Sequence, residues 1–328
     1  MILGGSIHLN KKVILSFVTV LFILFMYVHK MDVVKEQEPR KIDLFKLLKV
    51  AIRAAENGGK NIVRVKDHIN IHSKGLTKEG QQDSVTTADF LSHCSMTNTL
   101  QHFFPYIKLI SEEAKTKCEE GHIDNYSVGE LFIENLTYQY VEEDDVTVWI
   151  DPLDATQEYT EKLYDYVTTM VCIAVNGKPL IGVIHKPFNG TTSWAWVDQA
   201  MSRDLALDFH ENEKQKNNGL KIIVSRSHSG KIGEVLKKNF NRPFEIISAA
   251  GAGFKTLELV TRKVDAYLHI TAIKKWDICA GNAIVNALGG RMTTKSNQEI
   301  NYAYTDDVVN DNGLITTMKD HNLFLGIL

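Results

Sequence analysis

Positive charge is not in excess: 37 Lys and Arg stand against 40 Asp and Glu, for a net charge of −3. That balance points away from a nucleic-acid polymer as partner, and no RNA- or DNA-binding signature appears. Any phosphate-bearing partner is then a small molecule held by a metal or by backbone. Cysteine is scarce too. Cys94, Cys118, Cys172 and Cys279 are widely spaced and make no metal motif, and no His or Cys cluster accompanies them, which argues against zinc. One disulfide in an oxidising compartment and buried free thiols both remain open. Internal repeats and low-complexity tracts are absent. What is present, 328 residues of which 44 % are hydrophobic, suffices for a full-sized core.

One long apolar run stands out, "VILSFVTVLFILFMYV" from Val13 to Val28, framed by Lys11, Lys12, His29 and Lys30. As a helix it spans about 24 Å, short of the ~30 Å hydrocarbon core but close to thinner membranes. A cleaved signal peptide is disfavoured because no small-residue cleavage site follows. A core helix should show a polar face, and only Ser16 and Thr19 offer one. The run therefore reads as an uncleaved single-span anchor. Lys11 and Lys12 favour a cytoplasmic amino terminus, although Lys30, Lys35, Arg40 and Lys41 dilute that bias. Sequons at Asn125, Asn135 and Asn189 permit lumenal glycosylation without establishing it. The expected organisation is a tail at 1–12, an anchor at 13–28, a linker at 29–41 and one folded domain at 42–328, divided near residue 200.

From Asp43, "DLFKLLKVAIRAAENGG" carries apolar residues at helical spacing, with Gly58–Gly59 as its expected stop. A second helix is expected over "TTADFLSHCSMTNTLQHFF", then strands "IKLI" (107–110) and "VTVWI" (146–150). Asn176–Gly177 marks a hairpin between "TTMVCIAV" and "LIGVIH", followed by the strand "TSWAWV". The polar run at 115–130 reads as a surface insertion, and a polar stretch at 207–219 precedes the second half. Beyond them strands at 221–225, 244–249 and 265–270 alternate with helices near 229–240, 251–262 and 277–288. Alternation in this half and hairpins in the first predict a layered α/β (α+β) sandwich with mixed sheets.

The stretch "VWIDPLDATQEYTE" then asks why a β-like run ends in two aspartates around a proline. Pro152 lacks an N–H, so the strand is expected to stop near Ile150 and to leave Asp151 and Asp154 in a tight turn. Three similar sites occur: Asp83 and Asp89 around "SVTTA", Glu112–Glu113 after "IKLI", and Asp277 after Trp276. Singly, each has a bland explanation: an acidic turn, a first-turn helix acid, a solvated loop pair, an N-cap. Converging on one cleft, such carboxylates repel one another, and a hard divalent cation with oxygen ligands relieves the repulsion.

In order, these segments resemble a known family. "WIDPLDATQE", "SEEA", "DSVTTAD" and "WDICAGNAI" are similar to the signatures of the magnesium-dependent, lithium-sensitive phosphatases related to inositol monophosphatase, over about residues 42–320. The resemblance implies the layered αβαβα sandwich of the inositol monophosphatase and fructose-1,6-bisphosphatase type. It implies two or three Mg²⁺ ions on Glu112, Asp151, Asp154, Asp277 and the Leu153 carbonyl, with Li⁺ inhibitory. Asp89 and Thr156 resemble the pair that orients and deprotonates the attacking water, and the N–H groups of Ala155 and Thr156 resemble the phosphate cradle. Ala155 departs from the family pattern, where most members carry Gly.

"SRSHSG" (225–230) and "GAGFKTLEL" (251–259) resemble segments of the branch that hydrolyses adenosine 3′,5′-bisphosphate to AMP, with Ser225, His228, Gly251 and Lys255 as substrate-binding candidates. With the anchor, the chain is similar to Golgi-membrane members of that branch, type II with a lumenal catalytic domain. An inositol phosphate phosphatase and a catalytically silent anchored binding protein are the alternatives, and homo-oligomerisation is left open.

Overall fold

The computed structural model describes residues 11–33, 40–76, 82–115, 117–118, 139–212, 219–226 and 231–328, with the side chains of 13, 28–33, 74, 76, 82–83 and 208–212 excepted. The chain divides into two compact units, Met1–Arg40 and Lys41–Leu328. In the first, α1 (Lys11–Val33) is a single helix. Its described large apolar side chains, from Ile14 to Tyr27, are all between 46 % and 69 % exposed. Among the described residues no helix is long and apolar enough to cross a membrane; within α1 the contiguous described side chains end at Tyr27.

The second unit begins with α2 (Leu44–Val65), whose first N–H groups, those of Phe45 and Lys46, donate to the Asp43 carboxylate. It packs against α3 (Thr87–Phe103), and both cover one face of a six-stranded sheet. That sheet runs β1 (Lys108–Ser111), β2 (Val146–Asp154), β3 (Thr168–Val175), β4 (Lys178–Lys186), β5 (Thr191–Trp196) and β6 (Ala200–Met201) in chain order. β1 pairs parallel to β2, and every later pairing is antiparallel. Strand periodicity sorts the apolar residues. Val148, Ile150, Val171 and Ile173 face α2 and α3, while Trp149, Met170 and Cys172 face the opposite layer.

After β2 comes the short α4 (Thr156–Thr160), and after β6 comes α5 (Arg203–Asn212). The helices and main-sheet strands that follow are β7 (Leu220–Ser225), α6 (Ile232–Asn239), β8 (Phe244–Ala249), α7 (Ala252–Val260), β9 (Ala266–His269), α8 (Lys275–Ala287), β10 (Arg291–Thr293) and β11 (Leu314–Thr317). The strands form a second sheet in the order β8-β7-β9-β11-β10, with β7 parallel to both neighbours. α7 and α8 share one core with the inner faces of both sheets; α6 and Phe324 close the outer face of the second. The result is the expected five-layer αβαβα sandwich.

Two local expectations need correction, and two open points are resolved. Gly58–Gly59 does not stop α2, because the missing side chains are used for packing. A Cβ on Gly58 would lie 2.5 Å from Ser92 Oγ, and one on Gly59 would lie 2.5 Å from His185 Cδ2. β2 does not stop at Ile150 either. It continues to Asp154 through a register shift between Asp151 and Asp154, so Pro152 occupies an irregularity where its missing N–H is tolerated. The polar stretch from 207 contains the carboxyl half of α5. Finally, all four cysteines are paired, as Cys94–Cys118 and Cys172–Cys279.

Candidate active site

At the carboxyl ends of β1 and β2 three segments meet. Glu112 directly follows β1, its N–H donating to the Ile150 carbonyl at 3.3 Å. Asp151 lies on β2 just before the register shift. Asp277 sits in the first turn of α8, accepting from the Lys274 N–H at 3.2 Å. Carboxylate oxygens of Glu112, Asp151 and Asp277 lie within 4.8 Å of one another, a spacing one cation can bridge. Asp151 is 1 % exposed, and its Oδ1 is buried without a hydrogen-bond partner. Burial, reinforced by Asp154, Glu112, Asp277 and Asp89, pushes the Asp151 carboxyl well above the ordinary aspartate range. Asp277 is raised by burial and then by Glu112 and Asp154.

Asp154 completes the acidic group in a different setting. Its Oδ2 accepts from the Gly253 N–H at 2.8 Å and from Thr168 Oγ1 at 3.1 Å. Burial raises its pKa, while the Lys255 ammonium and these donors pull the other way. Lys255 is only 3 % exposed; its ammonium donates to the Gly251 carbonyl at 2.6 Å and lies 5.3 Å from the centre of the Tyr267 ring. Burial lowers its pKa to about 8, against the opposing pull of Asp154, Glu158 and Asp277.

Beside this group Asp89 is joined to Thr156. Thr86 N–H and Oγ1 donate to Asp89 Oδ2 at 2.7 and 2.6 Å, closing the capping box that starts α3. The Thr156 hydroxyl stands 3.0 Å from Asp89 Oδ1 and 3.1 Å from the Leu153 carbonyl, so its single proton is shared between two acceptors. Burial, opposed by the Thr86 and Thr156 hydrogen bonds, pushes the Asp89 carboxyl up to about 6. Ala155 occupies the left-handed region, φ 68° and ψ 46°, so this turn requires the conformation that glycine adopts most easily.

The substrate candidates separate. Ser225 is buried at the end of β7, and His228 lies outside the described residues, as do the sequons Asn125 and Asn135 and the side chain of Asp83. Gly251 and Gly253 press on the acidic group itself. A Cβ on Gly251 would lie 2.7 Å from the Tyr166 carbonyl and 3.1 Å from Asp154 Oδ2, and one on Gly253 would lie 2.4 Å from Thr168 Oγ1. The glycines of "GAGFK" therefore bring backbone against Asp154, and Lys255 turns inward beneath them.

Several supporting residues carried no sequence signal. Thr168 and the Gly253 N–H hold Asp154, while Ser92 Oγ holds the Pro152 carbonyl at 2.6 Å. His93 Nδ1 meets Ser111 Oγ at 2.8 Å, fixing α3 to the end of β1. Arg226 reaches back from β7 to Glu158 and Glu161 of the α4 segment at 3.4 and 2.8 Å. Ser111, Arg226 and Gly253 lie inside the segments quoted above, but these contacts join elements distant in the chain, and only the fold makes them. An all-oxygen donor set with one orphaned buried carboxylate oxygen suits a hard divalent cation.

Residues 43–323 match the model of the inositol monophosphatase family. The chain is 42 % identical to a protein named putative inositol monophosphatase 3 from Drosophila melanogaster, across 98 % of this chain and 94 % of that one. It is 44 % identical to the human protein named Golgi-resident adenosine 3′,5′-bisphosphate 3′-phosphatase, across 85 % of this chain and 78 % of that one. Among solved structures the inositol monophosphatase of Thermotoga maritima superposes with a TM-score of 0.62 at 20 % identity, covering 86 % of this chain and 96 % of that one, which shows the shared fold.

Proposed function

Because the chain belongs to the inositol monophosphatase family and is thus a phosphatase, we propose that it removes the 3′-phosphate from adenosine 3′,5′-bisphosphate, leaving AMP and phosphate. The observation carrying the chemistry is the convergence of Glu112, Asp151 and Asp277 within 4.8 Å, beside the hydrogen-bonded Asp89–Thr156 pair. The substrate rests on the 44 % identity to a relative of that name and on the "SRSHSG" and "GAGFK" segments.

In this reading Glu112, Asp151, Asp154, Asp277 and the Leu153 carbonyl would hold two or three Mg²⁺ ions, with Li⁺ inhibitory. Bound there, Mg²⁺ would supply charge neutralisation for the phosphate oxygens and a lowered pKa for the attacking water. The N–H groups of Ala155 and Thr156 hold the phosphate at the start of α4. Thr156 accepts a proton from the attacking water as it passes its own to Asp89 Oδ1, so the two act as one base. A carboxyl raised to about 6 is ionised at neutral pH and still basic enough to receive that proton. Ser225, His228, Gly251 and Lys255 belong to the wall that takes the rest of the nucleotide. Lys255 does so from beneath, by fixing the Gly251 carbonyl.

The apolar run at 13–28 anchors this unit to the Golgi membrane, with the catalytic unit in the lumen. Apolar side chains exposed all round α1 support that placement, since water does not favour them. So do two disulfides, which persist in oxidising compartments. Asn189 is exposed in the turn after β4, where a sequon is accessible to glycosylation.

Relatives named inositol monophosphatase 3 keep an inositol ester as the second reading. Phosphate release by the purified full chain, measured side by side from adenosine 3′,5′-bisphosphate and inositol 1-phosphate, separates the two. The expected result is nucleotide turnover that requires Mg²⁺, stops with chelator and falls with Li⁺. Preference for the inositol ester would overturn the substrate, and absence of turnover from a folded protein would overturn the enzyme.

A further inference from the structure

We infer that the Cys94–Cys118 disulfide is a positioning element for the metal ligand Glu112, so that the reduced protein holds its cations more weakly. The inference rests on the metal site proposed above and adds a residue pair to it.

Of the segments that build the acidic group, the one carrying Glu112 has the least support from regular structure. Asp151 and Asp154 belong to β2, paired on both sides, and Asp277 is part of α8. Glu112 instead follows β1, an edge strand of four residues paired only with β2. Beyond Glu112 a short turn returns Ala114 N–H to the Ser111 carbonyl at 3.2 Å. Among the described residues the next strand begins at Tyr140, and none of them forms a ladder with the segment beyond Glu112. The Cys94–Cys118 bond supplies a pin there. It joins the segment, six residues beyond Glu112, to α3 at Cys94, five residues beyond Asp89 on the same helix. The His93–Ser111 contact makes a second tie between the same two elements at the other side of Glu112. Glu112 is therefore bracketed between two attachments to α3, the helix that also presents Asp89 to Thr156.

The bond can be broken selectively. Cys172 and Cys279 are 1 % and 0 % exposed in the core, whereas Cys94 and Cys118 are half-buried. Reduction by a dithiol transfers two electrons and two protons to the Cys94–Cys118 bond, giving two Sγ–H groups while the dithiol closes into its own cyclic disulfide.

The test titrates Mn²⁺ into the full chain by electron paramagnetic resonance, which reads the ion without turnover. The double variant Cys94→Ser/Cys118→Ser is expected to bind Mn²⁺ roughly tenfold more weakly, the size of effect seen when a group supporting a metal ligand is lost. The Mg²⁺ half-saturation for phosphate release should rise by a similar factor, with kcat at saturating Mg²⁺ within about twofold and the nucleotide KM unchanged. Should the double variant not fold, native protein treated with dithiol replaces it, with alkylation and peptide mapping to verify that only Cys94 and Cys118 are reduced. Its Mn²⁺ affinity should fall likewise and return on reoxidation. Unaltered Mn²⁺ affinity beside a lowered melting temperature would mean that the bond serves stability alone and would overturn the inference. If native, oxidised protein binds no Mn²⁺, the metal site itself fails, a result distinct from equal binding by both forms.

Discussion

At φ 68° and ψ 46° Ala155 carries a conformational penalty that a glycine in the same place would avoid. For an L-residue the left-handed region costs about 1–2 kcal/mol, and a glycine there gives back roughly 0.5–1 kcal/mol as chain entropy. Ala155→Gly is therefore expected to stabilise the protein by about 0.5–1 kcal/mol, read as a higher urea midpoint at unchanged slope. The backbone N–H stays in place, so turnover should change by less than about twofold. A lowered midpoint would mean that the Ala155 methyl makes packing contacts worth more than the strain. Here sequence reading reached the right residue: the departure from glycine was visible, and the positive φ shows what it does to the turn.

Helix α2 carries the opposite case, a glycine pair where glycine is ordinarily a weakness. In an exposed helix interior Gly→Ala gains close to 1 kcal/mol. At Gly59 the added Cβ would meet His185 Cδ2 at 2.5 Å, and that ring is held by Thr192 Oγ1 at 2.9 Å from Nδ1, so it cannot simply swing away. Overpacking outweighs propensity, and Gly59→Ala should destabilise by about 1–3 kcal/mol in chemical denaturation. This position also marks the limit of what the sequence revealed about the elements. Periodicity located α2, α3, the Asn176–Gly177 hairpin and most later strands. It misread Gly58–Gly59 as a stop and Pro152 as a strand end, because close helix packing and a β-irregularity are decided by partners far away in the chain. That Glu112, Asp151 and Asp277 converge was legible because each lies inside a local motif close to the end of a strand or the start of a helix. Thr168, Ser92 and the Gly253 N–H were not, since they act on Asp154 and Pro152 from other elements and share no motif with them.

For the whole molecule, the acidic group sets a balance between folding and cation binding. The Asp89 carboxyl sits at about 6 instead of 3.8, with burial the main cause. A carboxyl raised by folding stabilises the fold below its unfolded pKa, and that contribution is lost as pH rises through the folded value. Without cation, the fold should therefore weaken as pH passes from about 4 to 6, and Asp151 and Asp277, raised by burial and by neighbouring carboxylates, act in the same direction. His93 and His185 are both lowered to about 4 by burial and act in the other direction, destabilising the fold as pH falls below 6.5. They do so with and without metal, so they cancel in a difference. The gap in melting temperature between Mg²⁺ and chelator should consequently be small near pH 5 and widen toward pH 8. A gap independent of pH would place the Mg²⁺ effect elsewhere than on these carboxylates.

The cysteine spacing bears on how such a chain matures in the lumen proposed for it. Cys118 follows Cys94 by 24 residues, whereas Cys279 trails Cys172 by 107. Delivered from its amino end during synthesis, the chain presents Cys94 and Cys118 as a ready couple well before Cys279 emerges. Once they have joined, Cys172 enters with no other thiol of its own chain left to mispair with. Nested or interleaved bonds would instead hold Cys94 free beside Cys118 until a later partner had emerged. Two bonds laid end to end let the ribosome do the sorting.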